Sequence, residues 1–348
     1  MQQSEYKYFD WHQVAWRELW ASAAGLPHAL LLAGPDGIGK GAFAQALAAR
    51  LLCENMTGDG ACSACPSCRW FASGNHPDYR YVIPEAESEG ENEPADGEKK
   101  KASRQIRIDQ IRALEDIVFI GGHRNGARVI VVEPAEAMNI SAANALLKIL
   151  EEPPPSVYFI LISHQWRRLL ATIRSRCRVL TLSRPPLAEA RQWLARKNDV
   201  QAAELLSLMG GAPLLALQES ERGHGSALTG LVASLAEPGQ DPLALAARWE
   251  THLQLKGEAG LPMESLVATV QKWVFDLAQQ KLAGRGRFLD DKAATARQLV
   301  NKATATGLIR CYNDLVKMRA LASHPLNPRL YLEDMAERYL RALRAERS

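Results

Sequence analysis

Five short apolar runs, HALLLA (28–33), DYRYVI (78–83), RVIVVE (128–133), VYFILIS (157–163) and CRVLTL (177–182), punctuate the first half of this chain. Between them, apolar residues recur at helical spacing: Phe43, Ala46, Leu47 and Leu51, then IRIDQIRALEDIVF (106–119), then SAANALLKILEE (141–152), which Pro153, Pro154 and Pro155 stop. An apolar strand with a helix before and after it hides both of its faces, and helical crossovers return the chain to the same end of the sheet. The pattern therefore predicts an α/β domain whose parallel sheet is wound on both faces. Residues 8–24 carry Trp11, Trp16 and Trp20 at near-helical spacing, a helix expected to pack on that domain's core. Beyond about residue 184 strand patterns cease, with SRPP (183–186) as the boundary. The remainder is rich in Ala and Leu, and its last helix places Leu332, Met335, Ala336, Tyr339 and Leu340 on one face. A length of 348 residues leaves room for two or three domains.

The first strand runs into GPDGIGKG (34–41), which fits G-x-x-x-x-G-K through Gly34, Gly39 and Lys40. Strand, glycine loop and helix together let backbone N–H groups and a helix N-terminus close around phosphate, with Lys40 neutralising an oxygen. The next position is Gly41, where a Ser or Thr hydroxyl would hold Mg²⁺. A hydrolysing loop of this class also needs a strand ending in Asp-Glu, the first for the metal and the second for the attacking water. Here RVIVV ends in Glu133-Pro134-Ala135-Glu136, so Pro134 stands at the base position and Glu136 lies too far along to replace it. ATP hydrolysis is not expected. A turn that binds nothing and a loop that binds nucleotide weakly both stay open.

Cys53 precedes Cys62-x₂-Cys65-x₂-Cys68 by a short glycine-containing loop, and four thiolates suffice for a closed tetrahedral zinc site. An iron–sulfur cluster is the alternative, although no fourth cysteine follows in the ferredoxin C-x₃-C-P form. Cys177 and Cys311 read as small apolar core residues. The N-terminus MQQSEYKYFDW has no apolar h-region and no apolar run approaches membrane-spanning length, so the expectation is a cytoplasmic protein with no membrane partner. A net charge of +3 with no aromatic-lined basic groove argues against an independent nucleic-acid binder. Residues 85–104, acidic and then basic, read as a solvated, disordered insertion.

RVIVVEPAEAMNISAANALLKILEEPPPSVYFILIS with LLATIRSRCRVL resembles the clamp-loader branch of the AAA+ ATPases. Asn144-Ala145-Leu146-Leu147-Lys148, Glu151-Glu152-Pro153-Pro154 and Ser175-Arg176-Cys177 carry the likeness, which is strongest over 28–182. It implies an AAA+ domain (1–183) with a four-cysteine zinc module (53–68), a helical lid (184–224) and a helical collar for oligomerisation (225–348). The implied assembly is the bacterial DNA polymerase III clamp loader, with tau/gamma and delta subunits as partners, acting on the sliding clamp and primer-template DNA. Active members carry an Arg in a Gly-Ser-x-Arg-x-Ala-Leu segment, where Gly211–Leu217 here has Leu214. The resemblance thus implies a subunit that is no enzyme by itself, whose Arg176 serves as an arginine finger in a neighbour's ATP site. A basic strand edge made of Arg174, Arg176 and Arg178 is the plainer reading of that segment. The alternative for the whole chain is an active tau/gamma-like ATPase, against which Pro134 and Leu214 weigh.

Overall fold

The computed structural model describes residues 6–21, 25–56, 60–88, 103–119, 126–253, 260–289, 292–322, 324 and 327–344. Two compact units share the chain, Met1–Arg184 and Pro185–Ser348.

The first unit is built on a five-stranded sheet of β1 (Ala29–Ala33), β2 (Tyr79–Val82), β3 (Arg128–Val132), β4 (Val157–Ser163) and β5 (Arg178–Thr181). Its order is β2-β3-β4-β1-β5 and every pairing is parallel. All five residues of β1 and of β3 are buried, as strands covered on both faces must be. The edge strands β2 and β5 are largely open to solvent, which is why their sequences admit Arg80 and Arg178. Leu31 lies opposite Leu161 on one side and Val179 on the other, so the loop after β1 leaves the middle of the sheet. Loops beyond the carboxyl ends of such strands are where open parallel sheets place their sites.

Helices α1 (Gln13–Trp20), α2 (Lys40–Leu52), α3 (Pro66–Ala72), α4 (Glu85–Ser88), α5 (Ile108–Arg112), α6 (Glu115–Phe119), α7 (Ile140–Glu151) and α8 (Ala171–Arg174) complete this unit. Asn139 caps α7 by accepting the Ala142 amide at 2.8 Å. The stretch 106–119 departs from the single helix that its periodicity predicts. Ile106 spends its backbone on a bridge to Ala137–Asn139, and at Leu114 the helix tightens to an i→i+3 bond with Ile111. Burial of Ile111, Leu114, Ile117 and Val118 then continues from two short helices. Of the expected insertion, residues 89–102 lie outside those described, and 85–88 form the single turn α4.

The second unit holds α9 (Leu187–Arg196), α10 (Val200–Leu205), α11 (Pro213–Glu221), α12 (Gly225–Ala236), α13 (Pro242–Glu250), α14 (Met263–Ala283), α15 (Ala293–Val300), α16 (Ala305–Leu321) and α17 (Pro328–Leu343), with no strand among its described residues. One apolar core runs through it from Ala190 to Ala342. Two tryptophans at its centre find partners for their N–H groups: Trp273 Nε1 donates to Tyr339 Oη at 2.7 Å and Trp249 Nε1 to Ser234 Oγ at 2.9 Å. Among the described residues no helix is long and apolar enough to cross a membrane.

Candidate functional site

Glycine-rich loop and helix α2 form the turn that the motif predicts. Gly39 has φ 95°, a left-handed conformation open to glycine, and a Cβ there would run into the ring of Phe9. Phe9 stacks on Trp11 at 4.6 Å between centroids, and Trp11 Nε1 donates to the Ile38 carbonyl at 2.9 Å. The segment before α1 is thereby sealed onto the loop.

Lys40 is buried, and its ammonium donates to the Pro35 carbonyl at 2.5 Å. Burial brings its pKa down to about 8, against the opposing charges of Asp36, Glu133 and Glu136. Those carboxylates define the site. Asp36 accepts the Gly37 amide at 2.7 Å and lies 3.6 Å from His164, so a loop N–H that would serve phosphate already serves a carboxylate. Glu133 accepts the hydroxyl of Tyr81 and sits beside Gly41, where a Cβ would come within 3.3 Å of Glu133 Oε2. Glu136 accepts the amides of His164 and Gln165, both at 2.9 Å, and so pins the loop that follows β4. Burial and then the Glu133 charge hold the Glu87 carboxyl above its ordinary range. His12, buried beneath, is pushed down to about 4 by desolvation and the Lys40 charge, with the Ser183 backbone opposing. A polyphosphate entering this loop would meet one ammonium among several carboxylates.

Arg176 stands apart from that loop, on the turn between α8 and β5. Its Nη1 donates to the Thr172 carbonyl at 3.0 Å and its Nη2 contacts Glu151 Oε1 at 2.5 Å. The neighbouring arginines differ: Arg174 lies 5.5 Å over the Trp166 ring, and Arg178 projects from exposed β5. Cys177 packs on the core of its unit, and burial pushes its thiol up to about 12.

The four cysteines converge. Cys53 closes α2, Cys65 caps α3, and the Sγ atoms of Cys53, Cys62, Cys65 and Cys68 lie within 4.8 Å of one another. A tetrahedron with Zn–S bonds of ~2.3 Å needs sulfurs about 3.8 Å apart, and Cys62 and Cys68 are 3.9 Å apart. Backbone amides of Cys62, Cys65 and Cys68 point at the sulfurs of Cys53, Cys62 and Cys65 at 3.2–3.4 Å. Such donors stabilise thiolates, and the amides of Ala64 and Cys65 bring Cys62 down to about 6. Behind the cluster, His76 accepts the Asp78 amide on Nδ1, which leaves Nε2–H for Ser67 Oγ at 2.6 Å, and Ser67 donates to the Leu52 carbonyl at 2.6 Å. That buried chain of bonds ties the module to the end of α2.

The structure brings together residues that spacing alone leaves apart. Phe9, Tyr81, Glu87 and His164 join the loop from distant segments, and Glu151 joins Arg176 across 25 positions. No motif announces these contacts, because the sheet order creates them. Leu214 lies in the second unit, at the start of α11.

A family model described as DNA polymerase III, delta subunit, matches residues 15–186. A curated relative from Pseudomonas aeruginosa, DNA polymerase III subunit delta', is 42% identical over 66% of this chain, and the match spans 65% of that relative's length. The protein of the same name from Yersinia pestis is 31% identical over 90% of this chain and 88% of its own length. Among solved structures, a DNA polymerase III gamma subunit-related protein from Thermotoga maritima aligns over 96% of this chain and all of that one, at 16% identity and a TM-score of 0.46.

Proposed function

The chain belongs to the family of DNA polymerase III delta' subunits, and from that premise we propose that it is the non-hydrolysing subunit of a clamp loader and donates Arg176 to a neighbour's ATP site. One observation carries the first half: the Glu133 carboxylate stands against Gly41, where a magnesium-binding hydroxyl would need room. With Pro134 in place of the water-polarising base, the loop keeps its shape and lacks its chemistry. Support for the second half comes from Arg176 itself, whose partly exposed guanidinium is positioned by Thr172 and Glu151 while Arg174 is engaged with Trp166.

On this reading the chain assembles with tau/gamma and delta subunits, in the cytoplasm, to place a sliding clamp on primer-template DNA. The helical unit supplies a lid (184–224) and a collar (225–348). Cys53, Cys62, Cys65 and Cys68 hold a structural Zn²⁺, which supplies no chemistry beyond tying the loop after α2 to α3.

The test is a reconstituted loader with each arginine replaced in turn. Arg176→Ala should leave assembly intact and slow ATP turnover at one neighbouring site by about 10³-fold or more, within the range for such fingers. Arg176→Lys should rescue poorly, since an ammonium cannot span two phosphate oxygens as a guanidinium does. Arg174→Ala and Arg178→Ala should be mild. Equal effects from all three would reduce Arg176 to an interface contact, and robust phosphate release by the isolated native chain would restore the active-ATPase reading.

A further inference from the structure

In the helical unit, a cavity of about 320 Å³ opens between α14, the turn after it and α16. Its volume falls in the range of small-ligand sites. Helix α14 lines it with Gln271, Lys272 and Phe275, residues that share one helical face, and α16 contributes Tyr312 and Arg319, two turns apart. Arg287 and Phe288 come from the sequence GRGRF (284–288).

That turn is built. Gly284, left-handed at φ 69°, ends α14. The buried carboxylate of Asp276 then accepts three successive amides, those of Arg287, Phe288 and Leu289, at 2.8–2.9 Å. A Cβ at Gly286 would come within 3.0 Å of Asp276 Oδ2, so the glycine permits this close approach. Arg287 and Phe288 are therefore fixed over the cavity mouth, the guanidinium 5.4 Å from the Phe288 ring.

The chemistry is one-sided. Lys272, Arg287 and Arg319 are the charged groups of the described lining, and no carboxylate stands among them. The Lys272 ammonium contacts the Met209 sulfur at 3.8 Å and lies 5.9 Å from the Phe288 ring, weak partners for a desolvated cation. Burial and Arg319 lower its pKa to about 8, which Glu219 only partly opposes. Glu219 is itself bound to Arg222 at 3.2 Å and His224 at 2.8 Å. Phe275 makes the apolar wall, 5.9 Å from Phe288 and 6.0 Å from Tyr312.

We propose that this cavity binds a nucleotide, its phosphate held by Lys272, Arg287 and Arg319 and its base laid against the aromatic wall. A dianion completes the three cations, and aromatic rings beside arginines accept any base face. The nucleotide unit has two possible sources, a free mononucleotide or the phosphorylated end of a single strand.

Calorimetric titration of the full chain with adenosine 5′-monophosphate tests this, with adenosine, a 5′-phosphorylated single-stranded decamer and a polyglutamate peptide as comparison arms. Saturable one-to-one binding is expected, at least about tenfold tighter than adenosine, because charged hydrogen bonds are lost without phosphate. Arg287→Gln and Arg319→Gln, both at exposed positions, should each weaken it about tenfold. Lys272→Met should abolish it, and if that variant misfolds the two arginine variants still decide. Tighter binding of the decamer assigns a strand end, and equal binding a free nucleotide. Adenosine binding as well as its monophosphate, polyglutamate competing equally, or affinity lost with Lys40→Gln but kept with Arg287→Gln would each overturn the proposal.

Discussion

Gly41 is better understood by its surroundings than by its missing hydroxyl. A side chain there would press on Glu133, which Tyr81 holds in place, so on the proposed reading a hydroxyl at this position does not by itself rebuild a magnesium site. Gly41→Ser should therefore leave both phosphate release and ATP affinity at the native level, since the hydroxyl would bond Glu133 and the carboxylates around Lys40 would remain. Turnover on the order of ~1 s⁻¹ in that variant would show that the hydroxyl alone had been lacking. Little of this was legible in the sequence. Gly34, Gly39, Lys40 and Gly41 declare a loop through their spacing, but nothing in spacing places Phe9 over Gly39 or Tyr81 against Glu133. His12 offers a direct measurement of the dry region beneath. Its folded pKa is depressed, so the folded chain holds fewer protons than the unfolded one between about pH 4 and 6.5. Its contribution to stability is complete above about 6.5 and is lost as pH falls toward 4. A proton NMR titration should find the His12 ring titrating near 4, and a midpoint close to 6.5 would mean that water reaches it.

At the scale of elements, strands were the most legible part of the chain, because β1, β3 and β4 bury both faces and read as unbroken apolar runs. The split of 106–119 was not legible, since the bridge that occupies Ile106 is made with Met138, far along the chain. Cysteine spacing foretold the cluster for a different reason: two close C-x₂-C steps on a tight turn leave the sulfurs few other places to go. The sequence was silent on Ser67 and His76, which join the module to Leu52. They set the expected outcome of Cys65→Ser. Zinc should be lost completely, because removing one ligand opens a closed site, while the Ser67 bonds keep the module attached to α2. Amide exchange should therefore rise at residues 60–72 and stay slow in β1, β3 and β4. Elemental analysis and exchange mass spectrometry check the two halves. Iron with labile sulfide in the native chain, or exchange spreading through the sheet in the variant, would contradict them.

For the molecule as a whole, the physical question is whether the second unit needs the first in order to fold. Its core runs unbroken from Ala190 to Ala342, and the N–H groups of the two tryptophans at its centre are bonded from within. Tyr339 is the keystone of that bonding: its hydroxyl accepts from Trp273 Nε1 and donates to the Leu235 carbonyl, both at 2.7 Å, linking α17 to α14 and α12. A fragment covering 185–348 should accordingly be helical by circular dichroism and melt in one cooperative transition, as a domain of that size with its own core does. Tyr339→Phe keeps the ring volume and strands a buried N–H and a buried carbonyl, each of which costs about 1–3 kcal/mol when left unpaired. At about 2–4 °C per kcal/mol for a domain near this size, the two groups together should lower the fragment's melting temperature by roughly 4–24 °C with its helix content unchanged. The same substitution in the full chain should leave zinc content at its native value, because Cys53, Cys62, Cys65 and Cys68 belong to the other unit. A fragment that stays unfolded, or a Tyr339→Phe chain that loses its metal together with its helices, would mean that the two units fold as one.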